Sequence, residues 1–86
     1  MQLVHKLQYA INAYCKIITV IKMYERIRAL REDKDLNQSE ISKMLNISQS
    51  TYSRYENGNL DVPTEILISL SKYYNVSVDY ILGLKD

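Results

Sequence analysis

Apolar residues recur at alternating spacings of three and four along the first 22 residues of the chain. The stripe is formed by Val4, Leu7, Ile11, Tyr14, Ile18 and Ile21, and it is widened by Leu3, Ala10 and Ile17. This is the a/d heptad pattern of an amphipathic helix over three repeats, so a helix is predicted over residues 1–22. From Met23 onward the sequence is more highly charged and richer in helix-capping residues, so we predict a domain boundary between 22 and 23.

Residues 23–86 are predicted to form five short helices, because apolar residues at helical spacing alternate with cap and stop residues. The predicted caps are Asn37, Ser48 and Ser77, and the predicted stops are Asn46, Asn57-Gly58 and Gly83. The first helix spans Tyr24 to Glu32, and the fourth begins at Val62-Pro63-Thr64. Inward-facing residues are predicted at Ile27, Leu30, Ile41, Met44, Leu45, Ile66, Leu67, Leu70, Tyr73, Ile81 and Leu82.

The composition favours an all-α domain with a single core. The chain has 86 residues, of which 47% are hydrophobic, and its two glycines and one proline offer few turns for a β-sandwich or barrel. Cys15 is the single cysteine and His5 the single histidine, so no internal disulfide, metal site or cofactor is predicted. His5 has no nucleophile partner, and paired carboxylates and a phosphate-binding glycine loop are absent, so no enzyme activity is expected.

The charge is divided unevenly along the chain. Residues 1–22 contain Lys6, Lys16 and Lys22 and no acidic residue, whereas the remainder is slightly acidic, and the net charge is +1. A basic footprint is usual in nucleic-acid binders, so this balance alone argues against DNA binding. The sequence also lacks a long apolar run and a signal-peptide pattern, so we expect a cytoplasmic protein without a membrane partner.

Residues 38–57 have the pattern of two short helices joined by a tight turn. Ile41, Leu45, Ile47 and Tyr52 are expected to hold the two helices together, with the small side chain of Ser42 at their crossing. This is the geometry of a helix-turn-helix, in which the second helix, here predicted over residues 48–55, enters the major groove of DNA.

Residues 24–83 resemble the helix-turn-helix family of lambdoid phage repressors, Cro and the xenobiotic-response-element (XRE) regulators of bacteria. The matching segments begin at Ile27, Leu36, Ile47, Pro63 and Tyr74. The resemblance implies a five-helix, lambda-repressor-like domain that binds operator DNA, usually as a homodimer. The helix predicted over residues 1–22 is an addition to that domain.

The resemblance also implies a role for individual residues. It assigns the reading of bases to Gln49, Ser50, Ser53 and Arg54. It assigns contacts with DNA phosphates to Gln38, Ser48, Thr51, Asn57 and Arg31. A Gln side chain can form two hydrogen bonds with adenine, and an Arg side chain can form two with guanine. Gln38 is also expected to support Gln49. Arg31 and Glu56 are expected to form a partly buried ion pair that brackets a phosphate. In the alternative interpretation, the polar residues of the helix over residues 48–55 form only its solvated face, and the charges of Arg31 and Glu56 are exposed.

Two positions depart from the family pattern. Phage repressors often place Lys or Arg directly after the recognition helix, but residues 59–63 contain Asp61 and no base. We therefore expect few phosphate contacts and a shallow salt dependence. Asn46 stands where many relatives have Gly.

Residues 1–22 lie outside the resemblance and admit three interpretations. The first is a dimerisation helix, and the second is an extra helix folded back on its own domain. The third is a stretch of sequence upstream of the natural start of the protein at Met23.

The sequence therefore predicts a transcriptional regulator, a repressor of bacterial or phage origin that binds a double-stranded operator as a homodimer. The alternative is an antitoxin or other protein-interaction module of the same fold, with a small protein such as a toxin as its partner and with DNA binding secondary or lost.

Overall fold

The computed structural model describes residues 20–85, and these residues form five α-helices without a strand. The first helix, α1, is described over residues 20–33, and the others are α2 (Gln38–Leu45), α3 (Gln49–Glu56), α4 (Thr64–Tyr74) and α5 (Val78–Ile81). The predicted all-α class is confirmed. Within the described range, no helix has both the length and the apolar character needed to span a membrane.

Side-chain caps fix where the helices begin. Asn37 and Glu40 form the predicted capping box: the Asn37 side chain accepts from the Glu40 amide at 2.8 Å, and the Glu40 carboxylate accepts from the Asn37 amide at 3.0 Å. Ser48 and Ser77 cap α3 and α5 with one bond each, in which the serine hydroxyl accepts from the amide of Thr51 and of Tyr80. The predicted stop at Asn46 is also present, with a left-handed φ of 59° that Asn tolerates better than most residues.

A single core lies between the helices. Its buried apolar residues are Met23, Ile27, Ile41, Tyr52, Tyr55, Leu70, Tyr74 and Ile81. Every helix contributes at least one of these residues, so the short helices are stabilised chiefly by packing against one another and not by their intrinsic propensity.

Two predicted core positions were wrong. Tyr73 is 38% exposed, and the neighbouring Tyr74 is buried in its place. Both tyrosines lie at helical spacings from Leu70, three and four residues, so the pattern could not choose between them. Met44 is also exposed, because α2 already buries Ile41 and Ser42 on the face that meets the core.

The first helix passes through the predicted domain boundary without a break. Residues 20–22 are helical together with residues 23–33, so α1 begins earlier than the predicted Tyr24. The boundary itself stays a prediction, and residues 1–19 lie outside the described part of the chain.

The α1 helix also contacts the last described turn of the chain. The Arg26 guanidinium donates to the carbonyls of Tyr80 and Lys85 and lies 4.3 Å from the centre of the Tyr80 ring. At Gly83 the backbone passes so close to α1 that an added Cβ would lie 2.6 Å from the Cβ of Lys22. The end of the domain is therefore packed against its first helix.

Gly58 is required at the end of α3. Its φ is +77°, and an added Cβ would lie 2.6 Å from the Tyr24 ring. We expect Gly58→Ala to lower the free energy of unfolding by at least about 1–2 kcal/mol, the cost of left-handed backbone for a residue with a side chain. Chemical denaturation measures this loss. Asn59→Ala, at the exposed neighbouring position, is the control, and equal losses in the two variants would contradict the assignment.

Candidate nucleic-acid interface

The α2 and α3 helices form a helix-turn-helix unit joined by residues 46–48. Ile41 of α2 and Tyr52 of α3 are fully buried and anchor the two helices in the core. Ser42 is 3% exposed, and its hydroxyl donates to the carbonyl of Ser39 at 2.9 Å. A small, internally satisfied side chain at this position lets the two helices approach closely.

The α3 helix has one buried face and one polar exposed face. Tyr52, Tyr55 and Glu56 are buried, as was predicted for Tyr52. On the other face, Gln49, Ser50 and Arg54 are exposed, and Thr51 and Ser53 are half-buried. Of the four predicted base-reading residues, three are therefore exposed on α3 and Ser53 is half-buried.

Three hydroxyl groups are linked at the N-terminus of α3. Ser48 Oγ accepts from the Thr51 amide at 3.1 Å and donates to Thr51 Oγ1 at 2.8 Å, and it lies 3.3 Å from Ser50 Oγ. Because a hydroxyl has a single proton, the bond to Thr51 uses the proton of Ser48, and Ser50 is then the donor in the third contact. The proton of Thr51 is left available for an acceptor outside the protein.

Gln38 and Asn57 lie at the start of α2 and the end of α3. The Gln38 amide donates to Glu56 Oε1 at 3.4 Å, so it bonds Glu56 and not Gln49, the expected partner. Asn57 is exposed, and its amide donates to Ser53 Oγ at 3.4 Å. Gln38 thus joins α2 to the last turn of α3.

Arg31 and Glu56 form a bidentate ion pair in the structure. Arg31 Nε donates to Glu56 Oε2 at 2.7 Å, and Nη2 donates to Oε1 at 3.1 Å. The Arg31 side chain is 12% exposed and that of Glu56 is 2% exposed. Arg31 Nη1 also donates to the carbonyl of Leu36 at 2.8 Å, so this one guanidinium joins α1, the turn before α2, and α3.

Burial and hydrogen bonding act in opposite directions on Glu56. Burial raises the pKa of its carboxyl, but the bonds from Arg31 and the proximity of Tyr52 and Gln38 lower it, and the net shift is downward. Burial and the nearby carboxylate raise the pKa of Tyr52, although its hydroxyl has no partner in ordinary hydrogen-bond geometry. Tyr52 is predicted from the sequence only as a core residue, yet its spacing of four from Glu56 already places both side chains on one face of α3.

Most arginines in the described part of the chain already have partners within the domain. Arg28 pairs with Glu32 at 3.3 Å, Arg31 pairs with Glu56, and Arg26 binds the C-terminal turn. The ammonium of Lys34 lies over the Tyr73 ring. On the helix-turn-helix unit itself, Lys43 and Arg54 are the exposed bases.

We expect Arg31→Ala to lower the free energy of unfolding by about 3 kcal/mol, because Glu56 would be left buried without its counter-charge. Arg28→Ala is the control, since its pair with Glu32 is exposed and should contribute under about 1 kcal/mol. Urea denaturation of both variants checks this, and similar losses would show that burial adds nothing to the Arg31 pair.

The lowered pKa of Glu56 predicts a pH dependence of stability. A carboxyl whose pKa is depressed by folding stabilises the protein above the unfolded value of about 4.3 and loses that contribution as the pH falls through the folded value. Glu56→Gln should therefore be less stable than the wild type near pH 7, with the gap closing below about pH 4. Thermal unfolding of both proteins from pH 7 to pH 3 is the measurement. A gap independent of pH would contradict the assignment.

Residues 27–81 match the helix-turn-helix family. The chain is 39% identical over 62 residues to the uncharacterised HTH-type transcriptional regulator YobD of Bacillus subtilis, covering 72% of this chain and 55% of that regulator. It is 37% identical over 60 residues to repressor protein C2 of Salmonella phage P22, covering 70% of this chain and 28% of the repressor. It is also 39% identical over 59 residues to antitoxin PezA of Streptococcus pneumoniae, covering 69% of this chain and 37% of the antitoxin.

No solved structure matches this chain. The chain spans about half or less of the length of these relatives. The family match covers more than half of the chain and includes both helices of the unit described above. The chain therefore belongs to the helix-turn-helix family, in its XRE-type group of bacterial and phage proteins.

Proposed function

We propose that this protein recognises a specific site in double-stranded DNA by inserting α3 into the major groove. The observation that carries the proposal is the division of α3: Tyr52 and Tyr55 hold it in the core, while Gln49, Ser50 and Arg54 are exposed. Polar side chains on a helix fixed from behind are held in a defined position, which base recognition requires.

Base reading is assigned to the exposed face of α3. Gln49, the first residue of the helix, can form two hydrogen bonds with an adenine, and Arg54 can form two with a guanine. Ser50 and Ser53 are small enough to allow the backbone of α3 to approach the base edges. This set would distinguish base pairs by hydrogen bonds and not by charge.

Phosphate binding is assigned mainly to neutral groups. The free amides at the starts of α2 and α3 attract anions, and Thr51 has a hydroxyl proton to donate. Gln38, Ser48 and Asn57 lie at the ends of the same two helices. Arg31 uses Nε, Nη1 and Nη2 within the domain, so we propose that it supports phosphate binding by fixing Gln38 and α3.

Such an interface should have a weak dependence on salt. Each phosphate neutralised by a cation adds about 0.9 to the slope of log affinity against log salt. With Lys43 and Arg54 as the exposed bases of the unit, few counterions would be released on binding. Specific affinity would then depend on two domains binding together.

We further propose that the protein acts as a homodimeric repressor in the cytoplasm of a bacterium, on an inverted repeat. Two-fold pairing would place the half-sites about one helical turn apart, roughly 34 Å. Repression is favoured because repressor C2 of phage P22 is among the relatives.

Selection from a random DNA pool at low salt should recover an inverted repeat with the wild-type protein. Gln49→Ala and Arg54→Ala should each weaken binding to that site by about 1–3 kcal/mol, because each removes a bidentate base contact, and should relax selectivity at one base pair per half-site. Fluorescence anisotropy with single-base variants of the site measures both effects.

Arg28→Ala is the control for loss of charge, because Arg28 is exposed on α1 and already paired with Glu32. It should leave selectivity unchanged. If Gln49→Ala and Arg54→Ala bind every variant site as the wild type does, α3 does not read the bases.

A second function is favoured by the similarity to antitoxin PezA. In that case the chain would bind a small partner protein such as a toxin, with DNA binding secondary or lost. Failure of the selection to enrich any sequence would favour this protein-interaction function over the regulator.

A further inference from the structure

The hydroxyl groups of Ser48, Ser50 and Thr51 form a network in which the direction of each hydrogen bond can be assigned. Ser48 Oγ lies at the centre of this hydroxyl network: it donates to Thr51 Oγ1 at 2.8 Å and lies 3.3 Å from Ser50 Oγ. It also accepts from the Thr51 amide at 3.1 Å. Because Ser48 has a single hydroxyl proton, its contact with Ser50 is a hydrogen bond only when Ser50 is the donor.

This direction leaves Ser50 as an acceptor towards any ligand. Its own proton is directed to Ser48, and no group among residues 20–85 donates to Ser50 Oγ, so its lone pairs are available. Ser50 is exposed and is the second residue of α3. It can therefore accept a hydrogen bond from a base, but it can donate one only by giving up its bond to Ser48.

The opposite direction of the hydroxyl network conflicts with phosphate binding at Thr51. For Ser50 to donate outward and stay bonded to Ser48, the Ser48 proton would have to turn to Ser50. Thr51 would then have to donate to Ser48, and it would have no hydroxyl proton left for DNA. Because the oxygens of a DNA phosphate only accept hydrogen bonds, a phosphate at Thr51 keeps the Thr51 proton directed outward and thereby fixes the other two bonds.

We propose that Ser50 reads its base pair only as a hydrogen-bond acceptor and therefore selects a base that presents an amino group, adenine or cytosine, in the major groove. These two amino groups are the donors of the major groove, whereas guanine and thymine present no donor there. The inference rests on the proposed function, in which α3 enters that groove, and it adds the chemical class of base that one residue accepts. Phosphate binding at Thr51 and base selection at Ser50 are coupled through Ser48.

Removal of single functional groups from the DNA tests the proposal with the full chain. The base pair in question is the one at which Ser50→Ala loses selectivity in the site recovered by selection. The wild type should require adenine or cytosine there. Replacing that base with an analogue that lacks the amino group, purine for adenine or pyrimidinone for cytosine, should weaken wild-type binding about three- to tenfold. Ser50→Ala should bind the natural site and the analogue equally, once both are corrected for the weaker base pairing that the two proteins share.

A second variant changes the direction of the hydroxyl network and leaves Ser50 in place. Thr51→Val removes the acceptor of the Ser48 proton, so Ser48 can donate to Ser50 and Ser50 can donate to DNA. The preference for an amino group should then be lost or move to guanine or thymine, whatever the change in overall affinity. Thr51→Ser retains the hydroxyl group and should retain the wild-type preference. Thermal unfolding followed by circular dichroism shows whether each variant is folded.

The outcomes separate this proposal from the function on which it rests. If no site is enriched, the proposed function fails, and base selection by Ser50 fails with it. If a site is recovered with guanine or thymine at the position read by Ser50, only the present proposal is overturned. A Thr51→Val variant with the wild-type base preference also overturns it. Neutron diffraction of the free protein provides a test without DNA: a Ser50 proton directed at Ser48 Oγ supports the proposal, and a Ser48 proton directed at Ser50 Oγ overturns it.

Discussion

The arrangement of the helix-turn-helix unit depends on the buried contact between Arg31 and Glu56. One guanidinium holds the carboxylate at the end of α3 with two hydrogen bonds and the carbonyl of Leu36 with a third. The carboxylate in turn accepts from Gln38 at the start of α2. Because both charges are nearly inaccessible to water, neither can leave the other without a large desolvation cost, so three helices share one fixed relative orientation.

The fixed orientation of the helices is important because the surface around α3 carries little positive charge. The domain has few exposed bases near α3, and its arginines are mostly engaged internally. A surface of this kind has little general attraction for DNA, so discrimination would rest on the position of hydrogen-bonding groups. Keeping Gln49 and Arg54 in a defined place on a supported helix then matters more than adding positive charge.

Much of the fold could be predicted from local chemistry. The capping box of Asn37 and Glu40 and the left-handed turn at Asn46 follow from residue types that have few alternatives at those positions. The prediction was wrong at Tyr73. Tyr73 and Tyr74 both lie at helical spacing from Leu70, and tertiary packing alone decides which of the two rings is buried. The partner of Gln38 was also missed, since a contact between residues 18 apart depends on how α2 meets α3. The base-reading and phosphate roles stay predictions.

The bond from Arg26 to the carbonyls of Tyr80 and Lys85 joins segments more than 50 residues apart in sequence. Closing so long a loop costs conformational entropy before any contact compensates for it, so this junction should form late, after the central helices have associated. With its first and last turns adjacent, the described domain is suited to circular permutation: a short linker could join them, and new termini could be opened in the exposed loop before α4.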